Sequence, residues 1–236
     1  FFFGNGNFGL VFLISACLLL PMFFLISSRF KNYKDPPYKD FLFIKTLIEV
    51  LRDGSIYKIS SIRFALEIFY SVMVIYTPIY LSKHIGIPFE AILGFIFPIA
   101  LLPFVILPYI LGSIADRKLG EKEILIFGIT LMSLSTLSIT FINTPSVIFW
   151  AMILFITRIG ASSIEAMADT YFFKQVNSTN SNLISFYSNL RPMAFMTGPL
   201  FATVFIYFFE IKYIFVALSI LTILSLKNAF TLNDTR

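Results

Sequence analysis

Seven times the sequence runs for about twenty residues with few or no charges: over residues 8–28, 62–82, 88–114, 123–142, 146–171, 183–208 and 211–227. A helix rises about 1.5 Å per residue, so each run can cross the roughly 30 Å of hydrocarbon in a bilayer. Inside hydrocarbon no water serves the backbone, which restricts spanning segments to helices and closed barrels. Runs of this length without strict alternation are helical. The expected fold class is therefore all-α, a polytopic membrane bundle of seven transmembrane helices. Composition agrees: of 236 residues 58% are hydrophobic and only 13% charged, roughly half the usual charged share, and the mean hydropathy is +0.86. A soluble domain of this size has nowhere to hide so much apolar surface.

Orientation follows from Lys and Arg, which gather on the cytoplasmic side of membrane proteins. The segment after the first run holds Arg29, Lys31, Lys34, Lys39, Lys45, Arg52, Lys58 and Arg63; the connection near residue 117 holds Arg117, Lys118 and Lys122; Lys174 lies in the next alternate connection, and Lys227 and Arg236 follow the last run. These fourteen of the 18 Lys and Arg fall on one side, against Lys83 and Lys212 on the other, with Arg158 and Arg191 inside runs. The expected topology puts residue 1 outside and the C-terminus in the cytoplasm, with the plasma (inner) membrane as the location. The net charge of +5 is this bias rather than a nucleic-acid footprint, for no basic patch is interleaved with aromatic side chains. The single Cys17 excludes an internal disulfide and any cysteine metal cluster.

Between the first and second runs, Pro36 and Pro37 stiffen a basic linker. Asp40 can then cap a helix carrying Phe41, Ile44, Leu47, Ile48 and Leu51 at helical spacing, with Lys45, Glu49 and Arg52 on the other face and Gly54 as its stop. Too short and too charged to span, this helix is expected to lie flat at the cytoplasmic surface of the bilayer or of the bundle.

Residues 111–125 read LGSIADRKLGEKEIL, with six charges packed into eight positions between the third and fourth runs. Lys118, Lys122 and Glu123 fit an ordinary inner loop. Gly112 is expected to let another helix approach closely, and Gly120 to allow a turn geometry that side chains resist. Asp116 and Arg117 offer opposite charges to neighbouring helix ends.

This turn resembles the loop motif of major facilitator superfamily transporters, roughly G-x-(small apolar)-A-D-R-x-G followed by two basic residues. Gly112, Ala115, Asp116, Arg117 and Gly120 match; one extra residue separates Arg117 from Gly120, and Glu121 stands where a basic residue is usual. The basic linker with its surface helix is similar to the family's connection between halves. The resemblance implies two six-helix bundles related by a pseudo-two-fold axis, each built from inverted three-helix repeats. Residues 1–28 would then be the last helix of a first half, 29–61 the linker, and 62–236 the six helices of the second half. The chain has no initiator Met, and Phe1 to Phe8 enter the apolar run without the positive region of a signal peptide. It reads as truncated, with five helices and another copy of the loop expected upstream and no transport expected from these residues alone. By the same resemblance Gly112, Asp116, Arg117 and Gly120 form a gating loop, whose charges contact helix ends in one of two states.

The fifth run contains Arg158, Glu165 and Asp169, which steps of seven and four bring within about 40° of one another around a helix. A charge at mid-bilayer costs roughly 2.5 to 3.5 kcal/mol on insertion scales, so this stripe has to face a bundle interior, a water-filled cavity or partner charges. In the sixth run Arg191 lies about 12 Å from the inner end, level with Glu165. We expect a pair between Glu165 and Arg191, with Asp169 turned towards Arg117. Static pairs that fix packing, a carboxylate that titrates as access changes, and substrate binding by Arg158 all remain open to this network of Arg158, Glu165, Asp169 and Arg191. Arg63 and Glu67, four apart, are expected to form a local pair at the interface. Prolines at 98, 103, 108, 192 and 199 mark broken helices, the usual pointer to a transport site.

Gly4, Gly6 and Gly9 match a dinucleotide-binding pattern without the strand that pattern requires. Asn177 to Thr179 match a glycosylation acceptor on the expected cytoplasmic side. One histidine, His84, makes no metal site. No cofactor, metal or nucleic acid is expected, and no arrangement reads as a hydrolase. The function these features support is a secondary transporter moving a small solute by alternating access, with protons as a coupling partner and the lipid bilayer and the first half of the same protein as its surroundings. A non-transporting membrane scaffold or receptor and an integral membrane enzyme are the alternatives.

Overall fold

The computed structural model describes residues 8–29, 43–117, 120–177 and 180–233, and the chain divides into two compact units, Phe1–Asp40 and Phe41–Arg236. The described residues of the first unit form one helix, α1 (Phe8–Arg29), with Pro21 inside it. Residues 30–42, with Asp40 and Phe41, lie outside the described ones.

The second unit contains α2 (Phe43–Arg52), α3 (Gly54–Tyr80), α4 (Phe89–Ala91), α5 (Phe97–Arg117), α6 (Glu121–Ile139), α7 (Val147–Gln175), α8 (Ser181–Phe208), α9 (Ile214–Leu224) and α10 (Leu226–Phe230); the described residues contain no strand. Among the described residues five stretches are long and apolar enough to cross a membrane: Gly54–Ile85, Phe89–Ala115, Glu121–Ile139, Val147–Gln175 and Ile211–Phe230. Of the other two expected spans, α1 has a shorter apolar stretch, Phe12–Ser28. The second, α8, is 28 residues long but is diluted by Ser181, Asn182, Ser185, Ser188, Asn189 and Arg191. The chain is a helical membrane bundle.

Local chemistry sets the helix ends. Asp53 caps α3, its Oδ1 accepting from the backbone N–H groups of Ser55 (3.0 Å) and Ile56 (3.1 Å). Gly54 therefore opens α3 rather than stopping α2, and residues 54–61 are helical. At the other end of this span a widened turn, Leu81–Ile85, closes on Gly86 at φ 81°, a conformation that only glycine adopts without strain. A second widened turn, Ile92–Ile96, precedes α5: Phe97 N–H reaches back to Ile92 O, one residue further than in an α-helix, immediately before Pro98 and its missing donor.

In unit two α7 packs along α6 and α5 and crosses α3; α8 lies against α3, and α9 against α6. Small residues make the closest approach, as expected where lipid removes the hydrophobic drive between helices. A methyl group on Gly160 would sit 2.6 Å from Met132 N and 2.7 Å from Gly128 O, and one on Gly198 would sit 2.0 Å from Ser71 Oγ. Short polar side chains add to this: Ser133 Oγ and Thr222 Oγ1 share a hydrogen bond of 2.8 Å, and Ser219 donates to Ser133 O at 2.8 Å. The last described residues are gripped by three helices, since Lys58 donates to Thr231 O (2.7 Å), Lys122 to Leu232 O (3.0 Å) and Tyr171 to Asn233 O (3.2 Å).

Helix α2 packs against α3 and α8 through buried Thr46 and Val50. Its apolar residues Ile44, Ile48 and Leu51 are exposed, alongside Lys45, Glu49 and Arg52. The apolar stripe read from spacing is thus the side left open, and a polar threonine takes the seat against the bundle.

Because the Gly128–Gly160 crossing leaves no room for a side chain, Gly160→Val should cost about 1–3 kcal/mol through overpacking. Gly94→Ala, where a methyl group meets nothing within 4 Å, should cost about 0.5 kcal/mol or less. Thermal unfolding of the two variants in detergent checks the difference.

Candidate functional site

Each of three helices presents polar side chains four residues apart, so that both members of a pair share one face: Arg63 and Glu67 with Tyr70 on α3, Glu165 and Asp169 on α7, and Tyr187 and Arg191 on α8. The faces meet at the Arg63 guanidinium. Its Nη1 lies 3.1 Å from Asp169 Oδ1, and its Nη2 lies 2.8 Å from Glu67 Oε1 and 3.3 Å from Glu165 Oε1. Two tyrosines complete the shell of the α7 carboxylates: Tyr70 donates to Glu165 Oε2 at 2.9 Å and Tyr187 to Asp169 Oδ1 at 3.0 Å. The Tyr187 ring is held flat against Phe172, with centroids 3.9 Å apart.

The third carboxylate differs. Glu67 is fully buried, and among the described residues neither of its oxygens accepts a hydrogen bond, because the Arg63 N–H directions go to the α7 carboxylates. Its second oxygen faces Arg191 Nε at 3.8 Å, beyond hydrogen-bond reach. The Arg191 side chain is 63% exposed, with its guanidinium over the Phe195 ring.

Near the middle of α7, Arg158 is buried, and its guanidinium lies 5.6 Å from the centroids of both the Phe69 and Tyr70 rings. Among the described residues no carboxylate comes within ion-pair distance of it. Aromatic faces are its immediate stabilisation, and Tyr70 joins it to the rest by holding Glu165 with the hydroxyl of the same ring.

Several expectations from the sequence are corrected. Glu165 pairs with Arg63 rather than Arg191, and the carboxylate nearest Arg191 is Glu67. Asp169 has Arg63 and Tyr187 as partners, and the side chain of Arg117, towards which it was expected to turn, lies outside the described ones. Arg63 and Glu67 do pair along α3, but Arg63 is the hub of the cluster, not a local surface pair. Sequence reasoning missed this role because it paired charges by depth on neighbouring runs in chain order, whereas α3 packs against both α7 and α8. The i, i+4 spacing of Arg63 and Glu67 next to Tyr70 was the available signal.

In the charged turn, Asp116 and Arg117 end α5, and their side chains, together with residues 118 and 119, lie outside the described ones. Gly112 has open space where a methyl group would go, so no described helix approaches it; the close approaches are at Gly128, Gly160 and Gly198. Gly120 is extended at φ −86° and ψ 170°, a backbone that any residue adopts, and its N–H is received by Glu123 Oε2 at 3.0 Å. The buried Glu121 pairs with Lys174 at the end of α7. These charges fasten the start of α6 to α7 and, through Lys122, to the C-terminal segment. Among the described residues no group of three or more His, Cys, Asp and Glu side chains is arranged to hold a metal ion.

Comparison with known families gives a match to the model described as Major Facilitator Superfamily over residues 1–190 and again over 69–233. No curated protein matches the chain.

Removing the hub leaves two α7 carboxylates and Glu67 without their shared cation, so Arg63→Gln should lower stability by about 3–5 kcal/mol, the cost of breaking a buried pair from one side. Arg191→Gln removes an exposed guanidinium without a hydrogen bond to Glu67 and should cost about 1 kcal/mol or less. Unfolding midpoints of both variants in one detergent check the order.

Proposed function

Because the chain belongs to the major facilitator superfamily, a family of membrane transporters that move small solutes, we propose that it works as a secondary transporter whose charge network on α3, α7 and α8 changes partners as access to the site alternates. The carrying observation is that one guanidinium, Arg63, binds carboxylates from two helices while Arg191 waits at 3.8 Å on a third. A static brace needs no unsatisfied member, whereas a contact that differs between two arrangements can bias an equilibrium.

In this reading Arg158, Glu165, Asp169 and Arg191 line the solute path together with Arg63 and Glu67, and Asp116 and Arg117 of the charged turn act in gating. The exposed apolar residues of α2 rest on the cytoplasmic face of the bilayer. A preceding half-transporter supplies the opposite wall of the cavity, and the protein resides in the plasma membrane with its C-terminus in the cytoplasm. Protons are the coupling ion that the acidic side chains favour. The family and the absence of a hydrolytic arrangement in the sequence favour transport over enzyme chemistry.

Proteoliposomes carrying the complete transporter should accumulate at least one member of a panel of labelled small solutes, with uptake reduced at least tenfold by Arg63→Gln at equal protein insertion. Folded, inserted protein that moves nothing in the panel, with or without a proton gradient, would instead favour a scaffold or receptor.

A further inference from the structure

Three carboxylates and two arginines meet between α3, α7 and α8, and the donors are divided unequally among them. Glu165 receives Arg63 Nη2 and the Tyr70 hydroxyl, and Asp169 receives Arg63 Nη1 and the Tyr187 hydroxyl. Glu67, the most deeply buried of the three, has Arg63 Nη2 beside its Oε1 at 2.8 Å but off the N–H directions, so among the described residues neither of its oxygens accepts a hydrogen bond. The charged and titratable groups around it are Arg63 and Tyr70 from its own helix, Glu165, Asp169 and Arg158 from α7, and Tyr187 and Arg191 from α8. With all three carboxylates ionised, they would outnumber Arg63 and Arg191 and leave at least one uncompensated negative charge inside the membrane, for Arg191 stands 3.8 Å from Glu67 without a hydrogen bond and Arg158 is separated by the Tyr70 ring. A buried ionised carboxylate without a hydrogen bond is the costliest way to place one of those charges.

We infer that Glu67 is the proton-binding site of this network and is occupied by a proton in the arrangement described. A neutral carboxyl loses little by lacking charge-assisted donors, and it cuts the charge surplus at the hub by one. Loading transfers one proton from cavity water to a Glu67 oxygen, and release returns it; no other bond changes. Arg191 gives this exchange its direction. It is the partly solvated neighbour of Glu67, and at hydrogen-bond distance its cation would compensate the ionised form and displace the proton. A movement of α8 towards α3 near Arg191 would thus be linked to proton release, and a movement away to uptake.

The inference names the coupling group of the transporter proposed above and depends on that proposal only for the use made of the proton. Its test therefore needs no substrate. The infrared spectrum of the whole chain, folded in lipid at neutral pH, should contain the carbonyl-stretch band of a protonated carboxyl. The band should be lost in Glu67→Gln and kept in both Glu165→Gln and Asp169→Asn. Persistence of the band in Glu67→Gln, its loss in either of the other two variants, or its absence from the unmodified folded chain overturns the assignment. Failure of Glu67→Gln to fold overturns it as well, because Gln reproduces the shape and neutrality of the protonated carboxyl. A correct band pattern in a protein that transports nothing would leave Glu67 as the proton site while removing the transporter reading.

Discussion

A guanidinium inside a membrane protein has to be surrounded by acceptors, and Arg63 is placed where three helices can supply them. Water would make such an ion pair worth about a kilocalorie or less. Away from water the same contacts decide which helix faces may meet, since the alternative is an uncompensated charge. The crossing of α3 with α7 and the approach of α8 to α3 satisfy this requirement. Tyr70 and Tyr187 belong to the same solution: each brings an apolar ring that packs in the bundle and one hydroxyl that finishes a carboxylate.

Elsewhere the bundle is joined by close backbone approaches, short hydroxyl bonds and contacts at helix ends. At Gly128 and Gly160 the α6 and α7 backbones touch, and the hydroxyls of Ser133, Ser219 and Thr222 bind α6 to α9. Glu121 and Lys174 tie α6 to the end of α7, while Lys58, Lys122 and Tyr171 hold backbone carbonyls of the chain's last described residues. The charged turn that stands out in the sequence belongs mainly to this group. Its described side chains, Glu121, Lys122 and Glu123, each secure a helix end or the C-terminal segment.

Most of the fold could be read from apolar run length, because hydrocarbon thickness fixes how long a spanning helix must be. The span Phe89–Ala115 and the helices α7, α8 and α9 fall within a few residues of the expected limits. The start of α3 was less legible: Gly54 looked like a helix stop, whereas Asp53 just before it caps the next helix. In the site, the stripe of Glu165 and Asp169 followed from helical periodicity, but their partner did not. Pairing depends on which helices are neighbours, and nothing in a single sequence says that α3 lies between α7 and α8. For α2 the spacing left open whether the apolar stripe meets bilayer or bundle, and the exposure of Ile44, Ile48 and Leu51 turns it away from the bundle.

The contacts of α8 with α3 differ along its length in a way that bears on movement. At Gly198 the helices approach closely, a methyl group there meeting the Ser71 hydroxyl, and nearby Tyr76 shares a hydrogen bond of 2.9 Å with Thr203. Seven residues back along α8, about 10 Å at the helical rise, Arg191 reaches Glu67 at only 3.8 Å and without a hydrogen bond. Pro192 lies between the two places, so the part of α8 that carries Arg191 can swing relative to the part held at Gly198, provided that Tyr187, one turn further back, keeps or releases its hold on Asp169 and Phe172. Such a swing alters the distance between Arg191 and Glu67 more than it alters anything at Gly198. The position where the electrostatics are least settled is therefore also the one where this helix pair can most easily change its geometry.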